Sequence, residues 1–132
     1  MTNDVTLLVS RIFLAILFLV SGLGMLASPG GFAGYMGAIG MPAPMLVTWL
    51  VIALKVLGGL ALVAGFQTRY VAYAFAAFCV ATAFIGHFDF ADQNQMTAFL
   101  KNIGLAGGFL LLSVTGAGAY AIDARKGSLV PA

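Results

Sequence analysis

The stretch from Met96 to Tyr120 reads MTAFLKNIGLAGGFLLLSVTGAGAY. After Asn102 it holds only apolar, small and hydroxyl-bearing residues, and it is long enough to cross the hydrocarbon core, which takes roughly 20 residues of helix. Its reading as a membrane-spanning helix fixes the solvent of the whole chain. Three further stretches meet the same criterion: Thr6 to Leu26, Met45 to Phe66 and Tyr70 to His87. With Thr97 to Tyr120 as the last, these predict an all-α membrane protein, a four-helix transmembrane bundle occupying residues 1–132 as one domain.

Composition agrees. Of 132 residues, 62% are hydrophobic and 8% charged, against about 25% charged in a soluble domain. A chain this short has too small an interior to hide that much apolar surface from water, so the excess faces lipid. A net charge of +2, scattered along the chain, supplies no basic face for nucleic acid. One cysteine, Cys79, excludes an intrachain disulfide and a CxxC pair. Asp4 and Arg11 make the N-terminal segment unlike a secretory signal, which favours a retained first helix.

The connections differ in kind. Between Ala27 and Pro44, Pro29-Gly30-Gly31, Gly34, Gly37, Gly40 and Pro42 break a continuous helix. Phe32, Tyr35, Met36 and Ile39 recur there at near-helical spacing, which predicts a short amphipathic helix lying on the membrane surface. Gln67-Thr68-Arg69 is a tight turn, and Phe88 to Met96 a polar loop with Asp89, Asp92, Gln93, Asn94 and Gln95. Four spans put both termini on one side, with Arg69, Arg125, Lys126 and nearby Arg11; the opposite side offers Lys101. The excess of positive charge predicts cytoplasmic termini and an outward-facing first loop.

Small residues pack helices in lipid. Gly104 and Gly108 form a GxxxG pair one turn beyond Lys101; Lys55, Gly58, Gly59 and Leu62 share a stripe, as do Arg11, Ala15, Phe18 and Gly22. These faces should point inward. Lys55 stands near mid-membrane, where a charge costs on the order of 3 kcal/mol by insertion scales. It either snorkels outward or meets an anionic or carbonyl group from a ligand, a lipid or another subunit. Lys101, beside Asn102, either snorkels or pairs with Asp89 or Asp92. Arg11 pairs with headgroups or caps the bundle. His87 with Asp89 and Asp92 is a candidate proton-handling cluster, though loops between spans are polar in any case. Trp49 and Tyr35 read as interfacial anchors. One histidine excludes bis-His haem. No HExxH, P-loop or strand-bound GxGxxG is present, and no metal site is predicted. The intramembrane acid on which small exporters depend is missing, which argues against a transporter.

Four elements together resemble the DoxX family. They are Arg11 with Phe18-Leu19-Val20-Ser21-Gly22; Pro29-Gly30-Gly31-Phe32-Ala33-Gly34-Tyr35 with Gly40-Met41-Pro42; Gly58-Gly59-Leu60-Ala61-Leu62 ending in Gly65-Phe66-Gln67-Thr68-Arg69; and Phe99-Leu100-Lys101-Asn102 with Gly107-Gly108 and a closing Asp123. The resemblance implies a multi-pass protein of a bacterial-type cytoplasmic (inner) membrane, an accessory subunit of a quinone-linked or redox-protective system rather than an autonomous enzyme. It implies no intrinsic cofactor, a quinone or lipid as candidate ligand, and a homo-oligomer or a membrane oxidoreductase complex as the assembly. It carries Lys101 and Asn102 over as functional positions. The chain departs from the pattern twice: Met25 stands where family members commonly have Lys, and Lys55 where they commonly have Glu. The alternative reading is a non-catalytic structural module assembled through its glycine faces.

Overall fold

The computed structural model describes residues 2–86, 89 and 91–125. His87 and Lys126 lie outside the described residues. Five helices follow one another: α1 (Thr2–Ala27), α2 (Pro29–Ala38), α3 (Pro44–Ala64), α4 (Thr68–Gly86) and α5 (Gln93–Thr115), closed by a 3-10 turn at Ile122–Ala124. All but α2 are long and apolar enough to span a membrane. Their outward faces carry Phe13, Val20, Leu57, Leu111 and Val114, each more than two-thirds exposed or close to it, the surface that lipid covers.

Helix boundaries follow local chemistry. Proline stands in the first turn of both α2 and α3, where its missing N–H costs nothing. Gly65 ends α3 in the left-handed region at φ 72°, a conformation that glycine adopts freely. Asp92 starts α5 by accepting the Asn94 N–H at 2.9 Å, as an N-cap does. That cap sets the beginning of α5 four residues before the expected Thr97. Its end also differs from the sequence reading. The helix stops at Thr115, because Gly116 turns to φ 74° and Gly118 to φ 83°, and 116–120 leave the axis as irregular chain. At the other end of the sequence α1 begins before Thr6, which brings Asp4 into its first turn.

The helices pack mainly as two pairs, α1 on α3 and α4 on α5, joined by α3 against α4. At the junction Phe18, Phe75 and Phe109 form a three-ring core, with centroids 4.5 Å (Phe18–Phe75), 5.1 Å (Phe75–Phe109) and 5.6 Å (Phe18–Phe109) apart. Glycines set the approach of α3 to its neighbours. A Cβ on Gly59 would lie 2.7 Å from the Leu19 side chain, one on Gly58 2.8 Å from the Phe75 ring, and one on Gly22 2.8 Å from the Lys55 Cβ. These distances exclude any larger residue without movement. The stripes Arg11–Ala15–Phe18–Gly22 and Gly58–Gly59–Leu62 are buried as expected.

Gly104 behaves otherwise. It is exposed, and among the described residues nothing beyond its own helix backbone would touch a Cβ placed there; Gly108 finds only Leu14 at 3.7 Å. The expected GxxxG seam is therefore not an interface within this bundle, because α5 turns its Asn102–Ala106–Phe109 face inward instead.

Candidate functional site

The two ends of the bundle use charge differently. At the end that carries the termini, Arg11 is completely buried. Its Nη1 donates to the carbonyl oxygens of Leu62 at 2.9 Å and Val63 at 3.2 Å, and its Nη2 to that of Tyr120. The last carbonyls of a helix lack internal partners, and a guanidinium supplies several donors in a fixed plane. Asp123 completes the clamp. Its Oδ1 accepts from the Gln67 N–H at 2.7 Å and its Oδ2 from the Thr68 N–H at 2.8 Å, while its own N–H donates to the Gly65 carbonyl at 2.9 Å. The carboxylate thus caps α4 from across the chain, on the helix end that favours negative charge. Asp4 accepts from the Ala119 N–H at 3.0 Å. Arg11 caps the bundle rather than reaching headgroups, because those carbonyls meet it inside.

The other half holds a cleft of about 340 Å³. Volumes of roughly 300–1,000 Å³ suit small-molecule ligands. Every helix contributes. Ser21 and Phe18 come from α1, Phe32, Tyr35 and Met36 from α2, Val51 and Lys55 from α3, Phe78, Cys79 and Thr82 from α4, and Lys101, Asn102 and Leu105 from α5. α2 buries Ala33 and Met36 and is tied to the end of α4 by the Tyr35 hydroxyl, which donates to the Gly86 carbonyl at 3.0 Å. The short helix therefore forms a wall of the cleft.

Lys55 is the twelfth of the 21 residues of α3, about 16 Å along the helix from its start. Its ammonium turns toward the last two turns of α1. Nζ donates to Ser21 Oγ at 2.7 Å, lies 3.5 Å from Met25 Sδ and sits 5.8 Å from the centre of the Phe78 ring. These partners are a neutral oxygen, a weak thioether acceptor and an aromatic face; none carries a charge. Met25 and Lys55, the two positions that depart from the family pattern, meet here.

Lys101 is the ninth of the 23 residues of α5. Its exposed side chain lines the same cleft as Lys55. Asn102 is buried beside it and donates to Thr82 Oγ1 at 3.1 Å; the Thr82 hydroxyl in turn donates to the Phe78 carbonyl at 2.8 Å. Asp89 and Asp92 do not fold back onto Lys101. Each holds a local backbone N–H instead, Ala91 at 3.2 Å and Asn94 at 2.9 Å.

The structure thus brings Lys55, Lys101 and Asn102 into one site, leaves Asp89 at a turn and Gly104 on the outside, and uses Gly22, Gly58 and Gly59 for packing. Sequence reasoning missed Ser21, Tyr35, Cys79 and Thr82 as lining residues. The available signal was their polarity inside or beside apolar spans. It also missed the depth of Arg11, whose partners are backbone carbonyls without a signature in side-chain identity.

Four long apolar helices around a mostly apolar cleft that holds two lysines define a multi-pass membrane protein. The chain belongs to the DoxX family: the family model matches residues 6–88, and a relative covering almost its full length is 47% identical. That relative is the inner membrane protein YqjF of Escherichia coli (strain K12), aligned over 121 residues, 92% of each chain. The inner membrane protein YphA of the same organism is 36% identical over 128 residues, 93% of this chain and 91% of the relative. No solved structure matches.

Proposed function

We propose that the chain is an inner-membrane accessory subunit of a quinone-linked or redox-protective system, with cytoplasmic termini, whose cleft takes a lipophilic molecule bearing hydrogen-bond acceptors. The membrane follows from the named location of its relatives, the redox setting from the family resemblance, and the ligand from the site. A single observation carries the ligand: Lys55, midway along α3, turns its ammonium to neutral partners. A charge removed from water is costly unless paired and hydrogen-bonded, and Lys has three donors to satisfy. A quinone carbonyl or a lipid headgroup entering the cleft supplies acceptors where the protein supplies few. In this reading α2 lies along the outer surface as a wall of the cleft.

The test is isolation from the native membrane in mild detergent, with proteins and small molecules identified together by mass spectrometry. The expected result is a stoichiometric lipophile or a membrane oxidoreductase, with the lipophile lost from Lys55→Leu. Bulk lipid alone on a clean homo-oligomer, unchanged in Lys55→Leu, would overturn it. One observation favours the structural-module reading: the exposed Gly104, with Gly107 equally free of neighbours, leaves α5 a smooth groove for another helix. Gly104→Leu would then disperse the oligomer.

A further inference from the structure

We infer that the ligand of this cleft is an amphipathic anion: a single-chain lipid whose carboxylate or phosphate oxygens lie between Lys55 and Lys101 and whose alkyl chain follows the apolar wall. The inference rests on the cleft being a ligand site, as proposed above, and names the chemistry of what enters it.

Charge balance carries the argument. The chain holds four acids, all aspartates. Asp123 is spent on Gln67 and Thr68, Asp4 on Ala119, Asp89 on Ala91 and Asp92 on Asn94. Each engages backbone N–H groups away from the cleft. None lines the cleft, where two lysines stand. Like charges gathered against low-dielectric walls repel more strongly than in water, and a buried charge persists when paired and hydrogen-bonded. A neutral carbonyl would accept a hydrogen bond from Lys55 and leave both positive charges uncompensated. An oxyanion accepts from both ammonium groups and offsets the charge.

The second part of the ligand follows from the wall. Leu17, Phe18, Val47, Val51, Ile85 and Leu105 make the greater part of it apolar. A free inorganic anion would leave that surface wet; an alkyl chain covers it. Lys55 at depth and Lys101 at the rim, exposed, give the headgroup two contacts. The small residue Gly22 lets α1 approach the Lys55 backbone, where a Cβ would come within 2.8 Å of Lys55 Cβ.

The experiment uses the full chain, delipidated in an uncharged detergent, and reads the shift in thermal midpoint with oleate, lysophosphatidate, oleyl alcohol, decylubiquinone or inorganic phosphate. Ligands that bind only the folded state raise the midpoint. The expected result is a rise on the order of 5 °C with oleate or lysophosphatidate at about a hundredfold excess over Kd, and at least tenfold weaker binding of oleyl alcohol. Lys55→Gln and Lys101→Gln should each weaken oleate binding about tenfold, while Lys55→Arg, which keeps the charge, retains most of it. Arg69→Gln, outside the cleft, should bind as the parent does. If oleyl alcohol or decylubiquinone binds as well as oleate, the anion inference fails and the ligand-site reading stands. If inorganic phosphate binds as well as lysophosphatidate, the alkyl part fails. If no lipophile shifts the midpoint, both readings fall.

Discussion

The terminal half of the bundle and the loop half contain the same kinds of charged residue and treat them in opposite ways. Around Arg11 and Asp123 every bond of the clamp that we describe runs to backbone carbonyls or N–H groups of helix ends. The charges there serve the fold. Around Lys55 and Lys101 the helices part, the partners are neutral, and the space between is open. The contrast teaches that an intramembrane charge is not one kind of signal. Its meaning depends on whether the chain itself supplies the oxygens.

Substitutions at the clamp should have the largest effect on stability and none through ligand. Gly65 sits at φ 72° with Arg11 Nη1 and Ala121 against the position of a Cβ. Gly65→Ala should cost about 3–4 kcal/mol, among the larger single-residue effects, measured by detergent denaturation followed by circular dichroism. Asp123→Ala removes the cap of α4 and leaves two N–H groups without their acceptor. A loss of about 2 kcal/mol is expected in the same assay. Either variant as stable as the parent would break the assignment of the terminal end to structure.

At the seam between the halves, Gly22→Ala forces α1 from Lys55 and Val56, whose atoms lie 2.8 and 3.0 Å from the added Cβ. Overpacking of this kind costs about 1–3 kcal/mol. Because it displaces the backbone that carries Lys55, oleate binding should fall together with stability. Lys55→Met should separate them. Replacing an uncompensated ammonium by an apolar chain of similar length should leave stability within about 1 kcal/mol of the parent or raise it, while ligand-induced stabilisation by oleate falls to about half. A large loss of stability would move Lys55 to the structural class.

The smallest effect belongs to Gly104→Ala. Nothing in the chain meets the added methyl, and alanine favours the helix, so a gain of at most about 1 kcal/mol is expected. A loss instead, accompanied by a shift in mass by light scattering, would reveal a partner helix on that face.

Much of this architecture was legible in the sequence. The four spans follow from length and apolarity, and the inward stripes of α1 and α3 from helical spacing. Lys55 was conspicuous because a cation at that depth is rare. What was not legible depends on backbone geometry and long-range contact. The end of α5 at Thr115 depends on Gly116 and Gly118 taking positive φ, although both sit in a run that reads as membrane helix. The capture of Arg11 by Leu62, Val63 and Tyr120 involves carbonyls that every residue possesses. The placing of Lys101 and Lys55 on one cleft requires the pairing of α1 with α3 and α4 with α5, which four hydrophobic segments do not specify. The glycine pair on α5 satisfied a packing pattern, yet Gly104 faces no other helix among the described residues and Gly108 meets only Leu14, since GxxxG marks a groove without marking its occupant.

The central claim is that the loop half is built to be completed by something that the chain does not contain. A density map of the protein taken from its native membrane into lipid nanodiscs, at a resolution that shows side chains, tests it most directly. The expected result is an elongated density in the cleft whose head lies within hydrogen-bonding distance of both Lys55 Nζ and Lys101 Nζ, with the Arg11–Asp123 clamp unchanged. A cleft filled by its own side chains, with Lys55 paired to a group of the same chain, would contradict the account.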